Sequence, residues 1–322
     1  MLQSLTLLAI VLKIATLAPE GSAWMNLFHK WQAKVEQRCE GRVKIKFYAG
    51  GVMGDEKDVI RKMHAGQLAG AAITGIGLAM INPEVRALEA SRTYAELDHA
   101  RERLDPLLRK KFDEKGYLLM GWGDVGPVHI FSQRPIRSLD DLRLTKLWQF
   151  GDDPLTKQTF EALGLHGVPM GVPEVLPSLA TGSIDAFFGS PLSTVALQWS
   201  AHARYVTSAV IGMATGATVL TKAAWAQVEP RDQSIIVEEA KSMEAEVTKQ
   251  VRDDNAKAFE QLQKKNGLQV VPTPIEMQRD VQRRVMAIAD KANAQFSREF
   301  QIEVVKLLEE YRKAHPGELP EK

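Results

Sequence analysis

The stretch RVKIKFYAGGVMGDEKDVIRKMHAGQLAGAAITG, residues 42–75, decides the architecture. Its first part sets Val43, Ile45 and Phe47 against Lys44 and Lys46, the alternation of a strand with one buried face. A Gly50-Gly51 turn closes it. GDEKDVIRKMHAGQ then reads as a helix whose acidic first turn complements the positive end of the helix dipole. AGAAITG, 69–75, is short, small and apolar, as a strand covered on both faces should be. Strand, helix and strand in so short a span predict a parallel sheet with helices packed across it.

Upstream, KIATLA (13–18) is strand-like, and SAWMNLFHKWQAKVEQ spaces Trp24, Leu27, Phe28, Trp31 and Val35 along one helical face behind a Ser22 cap. The chain therefore opens β-α-β-α-β. Before it, LTLLAIVL (5–12) is too short for a membrane span of roughly 20 residues. It has the apolar middle of a secretory signal peptide but neither a basic start nor an A-x-A cleavage site. Residues 1–12 are thus either a remnant signal-like segment or the approach to a buried first strand.

Downstream, GYLLMGWGDVGPVHIFSQ carries one or two further strands, and IRSLDDLRLTKLWQFGDDPLTKQTFEALGLHGVPM begins a second α/β unit. Ser138 and Asp141 have capping-box spacing, LTKLWQF is a strand, and Pro154 and Gly164 bracket a helix. GVPEVLPSLATGSIDAFFGS repeats the pattern with Pro173, Gly182 and the strand IDAFFG. After the apolar run SAVIGMATGATVLT come long helices, about 222–264 and 275–314. The expected division places 13–126 with 221–270 in lobe I and 127–220 with 271–315 in lobe II, the chain crossing near 124–136. A cleft between two such lobes is a favoured place for a small ligand.

Composition narrows the function. With 322 residues, 45% hydrophobic content and a net charge of +1, the chain can fill two ordinary cores but lacks the clustered Lys and Arg that phosphate backbones require. Nucleic acid is therefore not an expected partner. The single Cys39 allows no internal disulfide, and there is no CxxC. There is no P-loop, GxSxG, HExxH or EF-hand spacing. His29, His64, His99 and His166 form no ligand pairs, while Asp152-Asp153 and Asp253-Asp254 are adjacent and read as caps or solvated surface. No catalytic residue, metal site or cofactor is expected, and the protein does not read as an enzyme.

Several ordered segments together carry a likeness: KIATLAPEGSAW, GRVKIKFYAGGVMGDEKDVIRKMHAGQLAGAAI, IRSLDDLRLTKLW, FEALGLHGVPMGVPEVLPSLATGSIDAF, PLST and VLTKAAW. Through them the chain resembles, from residue 13 to about 300, the extracytoplasmic solute-binding proteins of tripartite ATP-independent periplasmic (TRAP) transporters. The resemblance implies a two-lobe α/β periplasmic fold with a central ligand cleft and long C-terminal helices. It further implies a receptor that delivers a small molecule to membrane permease subunits without chemistry. A lipid chaperone or sensor on the same fold is the alternative.

The resemblance also implies a carboxylate ligand held by an arginine on the strand after a D-L-K-G-type segment, and that place is Trp148 here. A second basic position, around Gly126 to Val128, carries no charge, and a D-G-Q-E-N-P-type segment reads Asp185-Ala-Phe-Phe-Gly-Ser-Pro191. An indole offers one donor and a large apolar face, not a bidentate charged fork. The departures predict a hydrophobic or amphipathic neutral ligand, including a lipid-like one, against Trp148, Phe150, Phe187 and Phe188, with Ser190 beside them. From the first lobe, Glu20, Trp24, Thr74, Gly75, Thr93 and Tyr94 stand at loop ends facing a cleft. Arg92 is the candidate for a relocated cationic clamp in a carboxylate binder. Against the ligand role, Trp148 and Phe150 share one face of an alternating strand and could equally be core beneath a helix.

Overall fold

Strand β1 (Ile10–Thr16) lies between two parallel neighbours, β2 (Val43–Tyr48) and β3 (Gly70–Thr74), in a computed structural model that describes residues 9–151, 153–287 and 296–316. The crossovers are α1 (Ala23–Arg38), capped by Ser22, and α2 (Glu56–His64). This is the expected β-α-β-α-β opening. The first strand begins earlier than KIATLA, because Ile10 and Leu12 already pair with Val43 and Ile45. Residues 10–12 are therefore strand rather than signal-like segment, and the rest of that expectation, residues 1–8, lies outside the described residues.

A short helix α3 (Gly75–Ala79), a 3₁₀ segment (Pro83–Ala90) and the long α4 (Tyr94–Glu114) lead into β4 (Tyr117–Ser132). β4 is one strand and not two, and it joins the two halves of the sheet. Its first part runs antiparallel to β9, while His129–Ser132 pairs with β7 and Phe131 and Ser132 with β8. The second α/β unit comprises α5 (Leu139–Arg143), β5 (Leu147–Phe150), α6 (Pro154–Leu163), β6 (Gly167–Met170), α7 (Val172–Thr181), β7 (Ala186–Gly189) and α8 (Pro191–Ala196). The Ser138–Asp141 capping box is formed, and Gly164 and Gly182 end α6 and α7 in the left-handed conformation. A second 3₁₀ turn (Trp199–His202), β8 (Tyr205–Thr207), β9 (Gly212–Thr221), α9 (Lys222–Trp225), α10 (Pro230–Asn266), β10 (Gln269–Val271), α11 (Ile275–Ala287) and α12 (Arg298–Ala314) follow among the described residues. The main strand order is β2-β1-β3-β9-β4-β7-β5-β6, with β8 between β4 and β10.

The helix expected over 222–264 is divided, since Pro230 has no N–H to continue α9 and instead starts α10. α10 braces both halves. Ile236, Ala240, Met243, Val247 and Val251 pack on the α1 core, while Leu262 joins the aromatic core around Trp148. Close approach to β4 requires Gly126, at φ +123°, where a Cβ would lie 2.4 Å from the Asn255 amide. The helix expected over 275–314 appears as α11 and α12, with 288–295 outside the described residues. Met277, Val281 and Val285 of α11 pack on the α5–α6 core, within the proposed lobe II. Phe300, Val304 and Leu308 of α12 pack instead with Leu104 and Leu108 of α4, so the last helix covers the first half of the sheet.

Candidate functional site

A cavity of about 130 Å³ lies at the junction of the two halves. The β1–α1 turn supplies Leu17 to Pro19, α1 supplies Trp24 and Phe28, β3 ends on Thr74, and the far side brings Val172 of α7, Ser193 of α8 and Leu197 just after it. Its floor is made of small residues, Gly121 and Gly123 of β4 and Gly216 and Ala217 of β9. Small side chains on two paired strands leave this volume open.

The polar groups on the wall are already engaged. The Trp24 indole N–H donates to the Asp124 carbonyl at 3.0 Å. Glu56, fully buried, accepts from the Thr74 backbone N–H at 2.6 Å and the Thr74 hydroxyl at 2.8 Å. Burial pushes its carboxyl up to about 7, against the opposing pull of the Thr74 and Gly77 donors. Asp124 turns its carboxylate away to Arg101 at 2.8 Å and Arg252 at 2.7 Å. None of the residues lining the cavity is Lys, Arg or His.

Of the residues singled out in the sequence, Trp24 and Thr74 line this cavity. Gly75 follows Thr74 and has the Glu89 carboxylate against it. Trp148 and Phe150 do not line it, although Leu17 and Val172 of its wall pack against their cluster. Trp148 is 3% exposed, stacks on Phe188 at 4.8 Å, meets Trp199 edge-on and donates its indole N–H to the Met170 carbonyl. Phe187 is fully buried, stacked on Phe131, and Phe188 is half-buried. The aromatic wall expected around the ligand is thus core one layer behind the cavity, because the rings fill one another's faces. Ser190 caps α8.

The remaining candidates sit elsewhere. Glu20 is exposed and bonded to His29. Thr93 caps α4, and the Arg252 guanidinium lies over the Tyr94 ring. Arg92 lies beside Glu96 and Arg312 of α12, where burial and then Arg312 lower its pKa, so it does not supply a clamp at this cavity. The signal that could have pointed to the wall was the run of small residues in AGAAITG and GWGDVG. Glu56 carried no signal, since a buried acid and an ordinary helix-start acid look alike in sequence.

Comparison with known proteins agrees with this architecture. The family model described as bacterial extracellular solute-binding protein, family 7 (DctP), matches residues 14–295. A solute-binding protein of Roseobacter denitrificans is 26% identical over 237 residues, 72% of each chain. Its crystal structure, described as a TRAP periplasmic solute-binding protein with bound L-galactonate, has a TM-score of 0.80 over 89% of this chain and 98% of that one, at 22% identity. The Bordetella pertussis receptor described as binding pyroglutamic acid has a TM-score of 0.85 at 17% identity, covering 94% of this chain and 100% of that one. A Fusobacterium TRAP protein with bound sn-glycerol-3-phosphate reaches 0.87 at 19% identity, over 96% and 100%.

Proposed function

Because the chain belongs to the family 7 bacterial extracellular solute-binding proteins, a family of receptors and not enzymes, we propose that it closes on a small uncharged, mainly apolar molecule. In this reading it serves in the periplasm and hands its cargo to the membrane permease subunits of a TRAP transporter. The observation that carries the ligand class is the cavity wall: it has apolar and aromatic surface, two carboxylates, Glu56 and Asp124, already held by donors of the fold, and no cation. A carboxylate placed there without a partner would lose several kcal/mol of hydration with nothing to replace it. Apolar surface, by contrast, gains roughly 25 cal/mol per Å² on burial.

Size limits the ligand further. A volume of about 130 Å³ is close to that of an engineered cavity known to take benzene, and well below the roughly 300–1,000 Å³ of drug-sized pockets. A cavity of this size suits a single ring or a short branched chain, and the lipid-like ligand suggested by the sequence exceeds it. The related structures described above hold pyroglutamic acid, L-galactonate and sn-glycerol-3-phosphate, so an acidic ligand is the rival reading.

Native mass spectrometry of the purified protein, followed by solvent extraction and calorimetric titration, separates the two. A co-purifying neutral molecule that rebinds, with no detectable binding of pyroglutamate or sugar acids, is the expected outcome. Micromolar binding of any such acid by the unmodified protein would overturn the assignment.

A further inference from the structure

Along Tyr117–Val128 strand β4 pairs with β9, and its other edge there has no strand beside it among the described residues. α4 packs on one face of this edge, through Leu104 and Leu108 against Leu119 and Trp122, and α10 packs on the other, through Met243 and Val247 against Met120. Between the two helices the edge lies in an open groove of about 790 Å³, within the roughly 300–1,000 Å³ of small-molecule sites. The groove shares one lining residue, Trp122, with the cavity described above.

Its lining carries five carboxylates and five cations, and several of them pair with one another, Arg252 with Asp98 at 2.5 Å and Arg109 with Asp105 at 2.8 Å. Two groups are left over. Arg101, only 8% exposed, donates through Nη2 to Asp124 Oδ1 at 2.8 Å and the Thr215 hydroxyl at 2.9 Å, while its Nε and Nη1 have no acceptor among the described residues. The Glu244 carboxylate has its nearest cation among the described residues, Arg109 Nη2, at 4.0 Å. Burial pushes its carboxyl above the usual range, against the pull of Arg109, the Trp122 backbone N–H and Arg101. Arg101 is thus near enough to act on Glu244 electrostatically, and one small molecule can meet both. A lone anion would satisfy Arg101 but be repelled by Glu244, and a lone cation the reverse. We propose that this groove is a second binding site, for a small zwitterion of the α-amino-acid kind, its carboxylate on the Arg101 guanidinium and its ammonium on Glu244. The assignment is independent of what the first cavity binds.

The test uses the full chain with nitrogen-15 at arginine Nε, whose Nε–H signals are followed by NMR; the Arg101 signal is the one missing from Arg101→Lys. Glycine, L-leucine and L-lysine are titrated singly, beside acetate and methylammonium as probes carrying one charge each. At least one amino acid should shift the Arg101 signal saturably, at a concentration about tenfold or more below that needed with acetate. Glu244→Gln keeps an oxygen to accept from the Trp122 backbone N–H but removes the charge, and should weaken amino-acid binding about tenfold or more without weakening acetate. Three results would overturn the site: no amino acid moving the Arg101 signal below about 10 mM, acetate acting at the same concentration as the amino acid, or Glu244→Gln binding the amino acid as the parent does. Circular dichroism melting confirms that each variant is folded. If Arg101→Lys fails this check, calorimetric titration of the parent and Glu244→Gln with the same probes makes the same three comparisons.

Discussion

Glu56 shows how a single residue links the wall of the cavity to the stability of the chain. Its carboxylate holds the Thr74 turn in place, yet its folded pKa of about 7 stands above the ordinary value of 4.5 because burial opposes the charge. The sign follows from proton uptake: between these values the folded chain binds more protons than the unfolded one, so stability is greatest below 4.5 and declines as pH rises through 7. The full change is roughly 3 kcal/mol for a shift of this size. Glu56→Gln removes the titration, so urea unfolding at pH 5 and pH 8 should show the parent losing stability relative to the variant. A constant difference between the two proteins would show that Glu56 does not titrate in this window. Trp148 teaches a different lesson at the same scale. The family resemblance located the position where an arginine was expected, but it could not tell an indole facing a ligand from one stacked on Phe188 and bonded to Met170. Side-chain volume and hydrogen bonding decided that, and neither is visible in one strand's alternation.

Elements were read most securely where local chemistry acts alone. The Ser138 box, Pro154 and the glycines after α6 and α7 stand where their capping roles require. β4 was harder, because Gly121, Gly123 and Gly126 interrupt an apolar run that is in fact one strand with two bulges. The amphipathic α12 announced that it would pack, but its choice of α4 depends on surfaces more than 180 residues away in sequence. The junction of β3 and α3 carries a testable consequence. A Cβ on Gly75 would stand 2.2 Å from Glu89 Oε1, and Glu89 is held there by Arg86. Gly75→Ala should therefore cost about 1–3 kcal/mol in urea unfolding, in the range of overpacked cores. The same substitution in a Glu89→Ala background should cost much less, since the colliding group is gone. Equal costs in both backgrounds would place the strain elsewhere.

At the scale of the whole molecule, charge is nearly balanced at +1, and three arginines are taken up inside the fold: Arg101 and Arg252 by Asp124 of the cavity wall, Arg86 by Glu89 and Asp153. Such a protein has neither a strong long-range field to draw an anion nor a free cation at the cavity wall to hold one. Exposed, separated charges are screened over about 10 Å at 0.1 M salt, so a receptor that relied on them would lose affinity as salt rose. Binding that rests on apolar surface instead should vary less than about twofold in Kd between roughly 20 and 500 mM NaCl. It should also show a negative heat-capacity change, the mark of buried apolar area. Calorimetric titration of the co-purified ligand at several salt concentrations and temperatures measures both quantities in one series. A tenfold loss of affinity with salt would mean that an ion pair forms on binding. A cation now buried in an internal pair, Arg86 first among them, would then have to leave its partner to meet the ligand, and closure would be an exchange of carboxylates on one guanidinium.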